Sequence, residues 1–125
     1  MAHRSDTLCN IRDRARAKLR ADINAALAER TGNATARMSW SVNGYAKMVV
    51  RRYRQKLVNW PAHIPFMNLS DLRGGVRVLI TLQHLWDTGV LRLEPATAED
   101  AMDSLRSAKS VHPNPLFVGA QRSRT

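Results

Sequence analysis

The stretch Asn59-Trp60-Pro61-Ala62-His63-Ile64-Pro65-Phe66-Met67-Asn68 constrains the fold of this chain more than any other. Pro61 and Pro65 lack a backbone N–H and bias the residues before them away from the helical region, so no regular helix runs through it. Yet Trp60, Ile64, Phe66 and Met67 make it far more apolar than an ordinary surface connector. Aromatic side chains bury large areas, so the connector is expected to cross between elements while lying against the core. It separates two helical halves of a chain of 125 residues, a length that supports one core and one domain.

Upstream, the apolar positions Leu8, Ile11, Ala15, Leu19, Ile23 and Leu27 recur at steps of three and four and line one face of a first helix. Ser5 or Asp6 is placed to cap its start and Gly32 to end it. Arg12, Arg16 and Arg20 form one stripe on the outer face, Arg14 and Lys18 another, and Asp13 and Asp22 dilute them only partly. Trp40, Tyr45, Val49, Tyr53 and Leu57 repeat with helical spacing from about Ser39 or Ser41, which predicts a second helix through "VVRRYRQKLV". Its far side carries Lys47, Arg51, Arg52, Arg54 and Lys56. Cations near a helix C-terminus are favoured by the macrodipole by about 0.3 to 1 kcal/mol each, a structural reason for them that needs no ligand.

Downstream, Ser70 and Asp71 are placed to cap a third helix holding Leu72, Val76, Leu79, Ile80, Leu82, Leu85 and Trp86, with Gly89 at its end. Apolar residues surround most of its circumference, which predicts a central, buried helix. Gly74-Gly75 marks either a late helix start or a close backbone approach. Val90 to Pro95 is too short to decide between a strand and an extended link. Thr97 with Asp100 forms a capping-box pattern ahead of a fourth helix containing Ala101, Met102, Leu105 and Ala108. The expected architecture is a mainly α domain of about four helices over residues 1–109, with a flexible C-terminal tail over 110–125.

The pattern Trp60-Pro61-x-x-Ile64-Pro65-Phe66-x-Asn68-x-Ser70, together with "LRGGVRVLITLQHLWDTGVLRL" from Leu72 to Leu93, resembles a group of uncharacterised proteins expanded in mushroom-forming fungi. The resemblance covers roughly residues 40 to 100. Where that group is expected to carry Gly before Trp-Pro and Pro between Asn and Ser, this chain has Asn59 and Leu69. The resemblance implies a fungal intracellular protein with a recurring Trp-Pro module, and it carries over no catalytic residue.

Charge narrows the function classes. Twenty Lys and Arg stand against ten Asp and Glu, and thirteen of the cations but only four of the carboxylates fall in the first 60 residues. Such an excess favours polyanionic partners. The candidate nucleic-acid surface is Arg12, Arg16, Arg20, Lys47, Arg51, Arg52, Arg54 and Lys56, which merge into one face if the first two helices lie side by side. Phosphate contacts of this kind bind DNA or RNA without sequence preference. The alternative is a protein-interaction module in which Trp60, Ile64 and Phe66, or the "PNPLF" tail, dock a partner with an acidic surface.

No catalytic motif is found. Cys9 has no His at a recognisable family spacing and reads as an ordinary helix residue, and His3, His63, His84 and His112 are scattered. His84 and Asp87 share a helix face, where a local hydrogen bond or capping role suits them better than general-base work. No paired Cys or His spacing suits zinc, Gly74-Gly75 lacks the phosphate-loop spacing and its Lys, and no cofactor is expected. A single cysteine, no signal-like apolar segment and no run of about 20 apolar residues predict an intracellular chain outside the membrane, with the nucleus as one destination.

Overall fold

The structure, a computed structural model, describes residues 3–114, with side chains from Ile11 onward. Among these described residues four α-helices and a small two-stranded sheet surround one core.

Helix α1 (His3–Thr31) begins ahead of Ser5 and Asp6, so neither is its cap, and Gly32 ends it with φ +68, a left-handed geometry that glycine adopts without a Cβ penalty. Leu19, Ile23 and Leu27 of its apolar stripe are fully buried, whereas Ile11 is exposed. The helix packs mainly on α3 (Gly75–Asp87), where Gln83 Nε2 donates to Asp22 at 2.9 Å. Near its other end Arg30 donates to Gln55.

The second helix starts as α2 (Val42–Gly44) and continues as a π-helix (Tyr45–Arg52). Ser41 caps it by accepting from the Gly44 N–H at 3.0 Å. Tyr45, Ala46, Val49 and Val50 are buried, and Lys47, Met48, Arg51 and Arg52 lie between and after them. A two-in, two-out repeat has a period of four, longer than the 3.6 residues of an α-turn, and the wider π-turn accommodates it. The Tyr53 N–H closes the helix on the Met48 carbonyl at 2.9 Å.

The helix does not reach Leu57, which corrects the sequence expectation. Arg54 takes φ +56, and β1 (Gln55–Val58) follows, pairing antiparallel with β2 (Arg92–Pro95) so that Leu57 faces Leu93. Gln55 and Leu57 alternate inward, and the Leu57 N–H donates to Tyr45 Oη at 2.8 Å. Four residues of period two inside a helical phase give no local signal; the partner strand, more than thirty positions away, supplies the hydrogen bonds. The open reading of Val90 to Pro95 resolves to a strand.

The Trp-Pro connector lies in the core. Phe66 is its hub, with ring centroids 5.2 Å from Trp40, 5.4 Å from Tyr45, 5.1 Å from Trp60 and 5.4 Å from His112, mostly edge-to-face. Such pairs add about 0.5 to 1.5 kcal/mol each beyond burial. The Trp60 indole N–H donates to the Ile64 carbonyl at 2.7 Å, which satisfies its one polar atom inside.

Asn68, rather than Ser70 or Asp71, caps the next turn, a 3₁₀ segment (Leu69–Asp71), by accepting from the Ser70 N–H. Helix α3 then starts late, behind Gly74 at φ +99, where a Cβ would stand 2.5 Å from the Val78 side chain. It is not the central helix its composition predicts. Only Leu79 and Leu82 are buried and Ile80 is 58% exposed, because α1 covers one side of it.

Helix α4 (Ala98–Arg106) opens on the predicted capping box: Thr97 Oγ1 accepts from the Asp100 N–H and Asp100 accepts from the Thr97 N–H. That backbone donor, aided by Lys56 at 3.2 Å, holds the Asp100 carboxyl below its ordinary value against the opposing effect of partial burial. Met102 and Leu105, expected to face the core, are 54% and 63% exposed, and Ser104 is buried instead, its hydroxyl donating to the Ala101 carbonyl. The capping box sets the helix's start, and the contact with the π-helix sets which face turns inward.

The expected flexible tail is ordered at its beginning. Ala108–Val111 form a 3₁₀ turn, and His112 and Asn114 are buried. Asn114 Nδ2 lies within hydrogen-bonding distance of the carbonyls of Pro61, Ala62 and Ile64, closest to Ile64 at 2.7 Å, so this segment closes over the Trp-Pro connector. Pro115, Leu116 and Phe117 of the "PNPLF" segment, expected as an alternative docking element, lie outside the described residues.

Candidate nucleic-acid interface

The eight candidate cations fall on two elements with different neighbours. Helix α1 packs on α3, the π-helix packs on α4 and the 3₁₀ turn after it, and the two basic helices make little direct contact. The side-by-side pairing that would merge all eight into one face is therefore not the arrangement the fold adopts.

On α1 two cations are paired with carboxylates of the same helix. Arg16 pairs with Asp13 at 3.2 Å, and neighbouring Lys18 pairs with Asp22 at 2.8 Å. The Lys18 hydrogen bond is the main cause of the lowered Asp22 carboxyl, and the Gln83 donor adds to it against partial burial. Arg20 Nη2 reaches Asn68 Oδ1 and Ser70 Oγ at 3.4 and 3.3 Å, long contacts to neutral acceptors that leave its charge uncompensated. Arg12 is exposed, with no carboxylate partner among the described residues.

The π-helix presents its cations differently. Lys47, Met48, Arg51 and Arg52 wall a shallow hollow of about 250 Å³ on its outer side. Arg51 Nε donates back to the Ala46 carbonyl at 3.3 Å, which orients the guanidinium without neutralising it. Among the described residues no carboxylate pairs with Lys47, Arg51 or Arg52. Arg54, beyond the helix, is exposed on a left-handed backbone. Lys56 on β1 belongs to the structural pair with Asp100 and is withdrawn from the patch.

The rival docking residues are interior: Trp60 is 6%, Ile64 3% and Phe66 2% exposed. Buried in this way, these three side chains offer a partner no apolar patch. Cys9 and His3 fall outside the side chains described. Asp87 accepts from Gln83 at 2.9 Å, and no bond joins it to His84. Among the described residues no three His, Cys, Asp or Glu side chains gather as a metal site would need, and no helix is long and apolar enough to cross a membrane.

Sequence reading missed two features. One is the π-turn that brings Lys47 beside Arg51 and Arg52, whose only trace is the two-in, two-out repeat. The other is a groove of about 600 Å³ between the start of α2 and the turn after the connector, reached by Trp40 and Asp71. No protein-family model matches the chain, and no curated protein or solved structure shows significant similarity to it.

Proposed function

We propose that this protein binds nucleic acid through the phosphate backbone, with Lys47, Arg51 and Arg52 as the principal contacts and Arg12, Arg20 and Arg54 as outlying ones. The observation that carries this reading is the hollow walled by three cations and no carboxylate. A π-turn is a distorted element often found at functional positions, and here it gathers like charges that repel one another when no anion is present. A phosphate group relieves that repulsion and releases condensed counterions, a contribution independent of sequence and steeply salt-dependent. Association with chromatin or with RNA follows from the same contacts, and a nuclear location would suit either. Membership of the fungal group suggested by the Trp-Pro segment is part of this proposal and adds no ligand to it.

The test is retention of a labelled mixed-sequence duplex and a single strand at ionic strengths from about 50 to 200 mM, where several phosphate contacts lose orders of magnitude in affinity. Binding at the low end that collapses across this range supports the reading. No retention of either at low ionic strength overturns it.

A further inference from the structure

The groove beside Trp40 has a chemistry distinct from the cationic hollow. Ser39, Trp40, Ser41, Met67, Asn68 and Asp71 line it. Trp40 packs against Phe66 at 5.2 Å and is half-buried, so its indole is held rigidly while part of it borders the groove. Asp71 is exposed, and its carboxylate has no hydrogen-bond or ion-pair partner among the described residues. At the rim, Arg20 reaches Asn68 and Ser70 with its charge uncompensated. The groove opens at the N-terminal end of the same continuous helix whose outer side carries Lys47, Arg51 and Arg52.

A fixed aromatic surface, an acceptor-only carboxylate and an arginine at the edge match the three parts of an unstacked nucleotide. An aromatic side chain stacks on a base whatever its sequence, and single-stranded nucleic acid is read on the exposed edges of such bases. A carboxylate accepts only, so it favours the base edge richest in donors. Guanine offers two adjacent N–H donors on its pairing edge, whereas adenine and cytosine offer an amino group and uracil a single imino hydrogen. In a duplex that edge is occupied by the complementary base.

We infer that the groove beside Trp40 holds one base of a single-stranded polynucleotide, stacked on the indole, with Asp71 accepting from its pairing edge and guanine preferred. Arg20 holds the flanking phosphate, and the hollow at Lys47, Arg51 and Arg52 tracks the backbone beyond. The inference rests on the backbone-binding reading and adds a strand type and a base preference to it.

The test uses labelled strands of about ten nucleotides, all-uridine or carrying a central G, A or C, in ribo and deoxy (thymidine for uridine) forms, beside a duplex of the same length. Affinities are read by fluorescence anisotropy at low ionic strength for the wild type, Asp71→Ala and Trp40→Phe. The G-centred strand is expected to bind about tenfold more tightly than the all-uridine one, a difference that two good hydrogen bonds supply. Asp71→Ala erases this preference while all-uridine affinity holds or rises, since a negative charge has left the path of the phosphates. Trp40→Phe weakens every single strand severalfold. Asp71 is exposed and its side chain supports no other residue, so its variant keeps the test decisive even if Trp40→Phe disturbs the core. Equal affinity for G-centred and all-uridine strands, or a preference that survives Asp71→Ala, overturns the groove assignment. If salt-sensitive duplex binding persists in that case, the backbone reading stands alone; if neither strand nor duplex is retained, the backbone reading falls as well.

Discussion

The two basic helices of this protein carry similar runs of cations and differ in how far carboxylates offset them. On α1 the stripe is interleaved with carboxylates, and Arg16 and Lys18 are each paired with one on the same helix. On the π-helix Lys47, Arg51 and Arg52 share a hollow with a methionine and no acid. The difference teaches that cation count is a poor guide to an anion-binding surface. Exposed ion pairs contribute little stability, about 0 to 1 kcal/mol, but they cancel much of the local field that would attract a polyanion.

The largest expected effect comes from giving the π-helix what α1 already has. Met48→Glu places a carboxylate among Lys47, Arg51 and Arg52, and nucleic-acid affinity at low ionic strength should fall by about tenfold or more, read by anisotropy. Its thermal midpoint should change little, since Met48 lies on the hollow and not in the core cluster. Unchanged affinity would break the comparison at its first step.

Next in size is the seating of the patch. A Cβ at position 44 would collide with the Ser39 hydroxyl and come within 2.6 Å of the Ser41 hydroxyl, which caps the helix. Gly44→Ala should therefore lower stability by about 1 kcal/mol, the usual cost of removing a cap, visible as a drop of a few degrees in a thermal melt. A melt at or above the wild-type midpoint would show that the cap is not what holds the helix start.

The reciprocal experiment frees α1. Asp13→Asn with Asp22→Asn unpairs Arg16 and Lys18, and affinity should rise about two- to fivefold in the same assay, with the gain vanishing at high salt. No gain would mean that the orientation of α1, and not neutralisation, keeps its stripe out of binding.

The smallest effect separates the core under the patch from the patch itself. His112 is buried against Phe66, its Nδ1 accepts from the Asn114 N–H at 2.9 Å, and burial lowers its pKa below the ordinary 6.5. Below pH 6.5 the unfolded chain then binds more protons than the folded one, so stability declines as pH falls from 6.5 toward the lowered folded value and is level above pH 6.5. Denaturant melts across this window should show that decline, and His112→Gln should flatten it. A profile that keeps the same slope in the variant would assign the titration elsewhere.

Much of the fold was legible because its signals are local. The step of three and four from Leu19 to Leu27, Gly32 as terminator, the Thr97 and Asp100 capping box and the apolar Trp-Pro connector each need only a few neighbouring residues to read. Elements that depend on distant partners were not legible: β1 exists because β2 pairs with it, and Met102 and Leu105 face outward because the π-helix packs on the other side of α4. The same holds for the candidate site, where the cations and their partial dilution by Asp13 and Asp22 could be read in advance but not the withdrawal of Lys56 by Asp100, which the fold brings to it. Asn59 stands at φ +68, a geometry more accessible to Asn than to most residues other than Gly, which suits it to the turn into Trp60.

The most direct test of the central claim is the salt dependence of binding to one short duplex, compared between the wild type, a Lys47→Ala/Arg51→Ala/Arg52→Ala variant and an Arg12→Ala/Arg16→Ala/Arg20→Ala variant. Removing one cation that neutralises a phosphate lowers the slope of log K against log salt by about 0.9. The slope should fall by about two to three units in the π-helix variant and by less than about two in the α1 variant, whose Arg12 and Arg20 are outlying contacts. Equal reductions, or a larger one in the α1 variant, would contradict the assignment of the hollow at Lys47, Arg51 and Arg52 as the primary phosphate-binding surface.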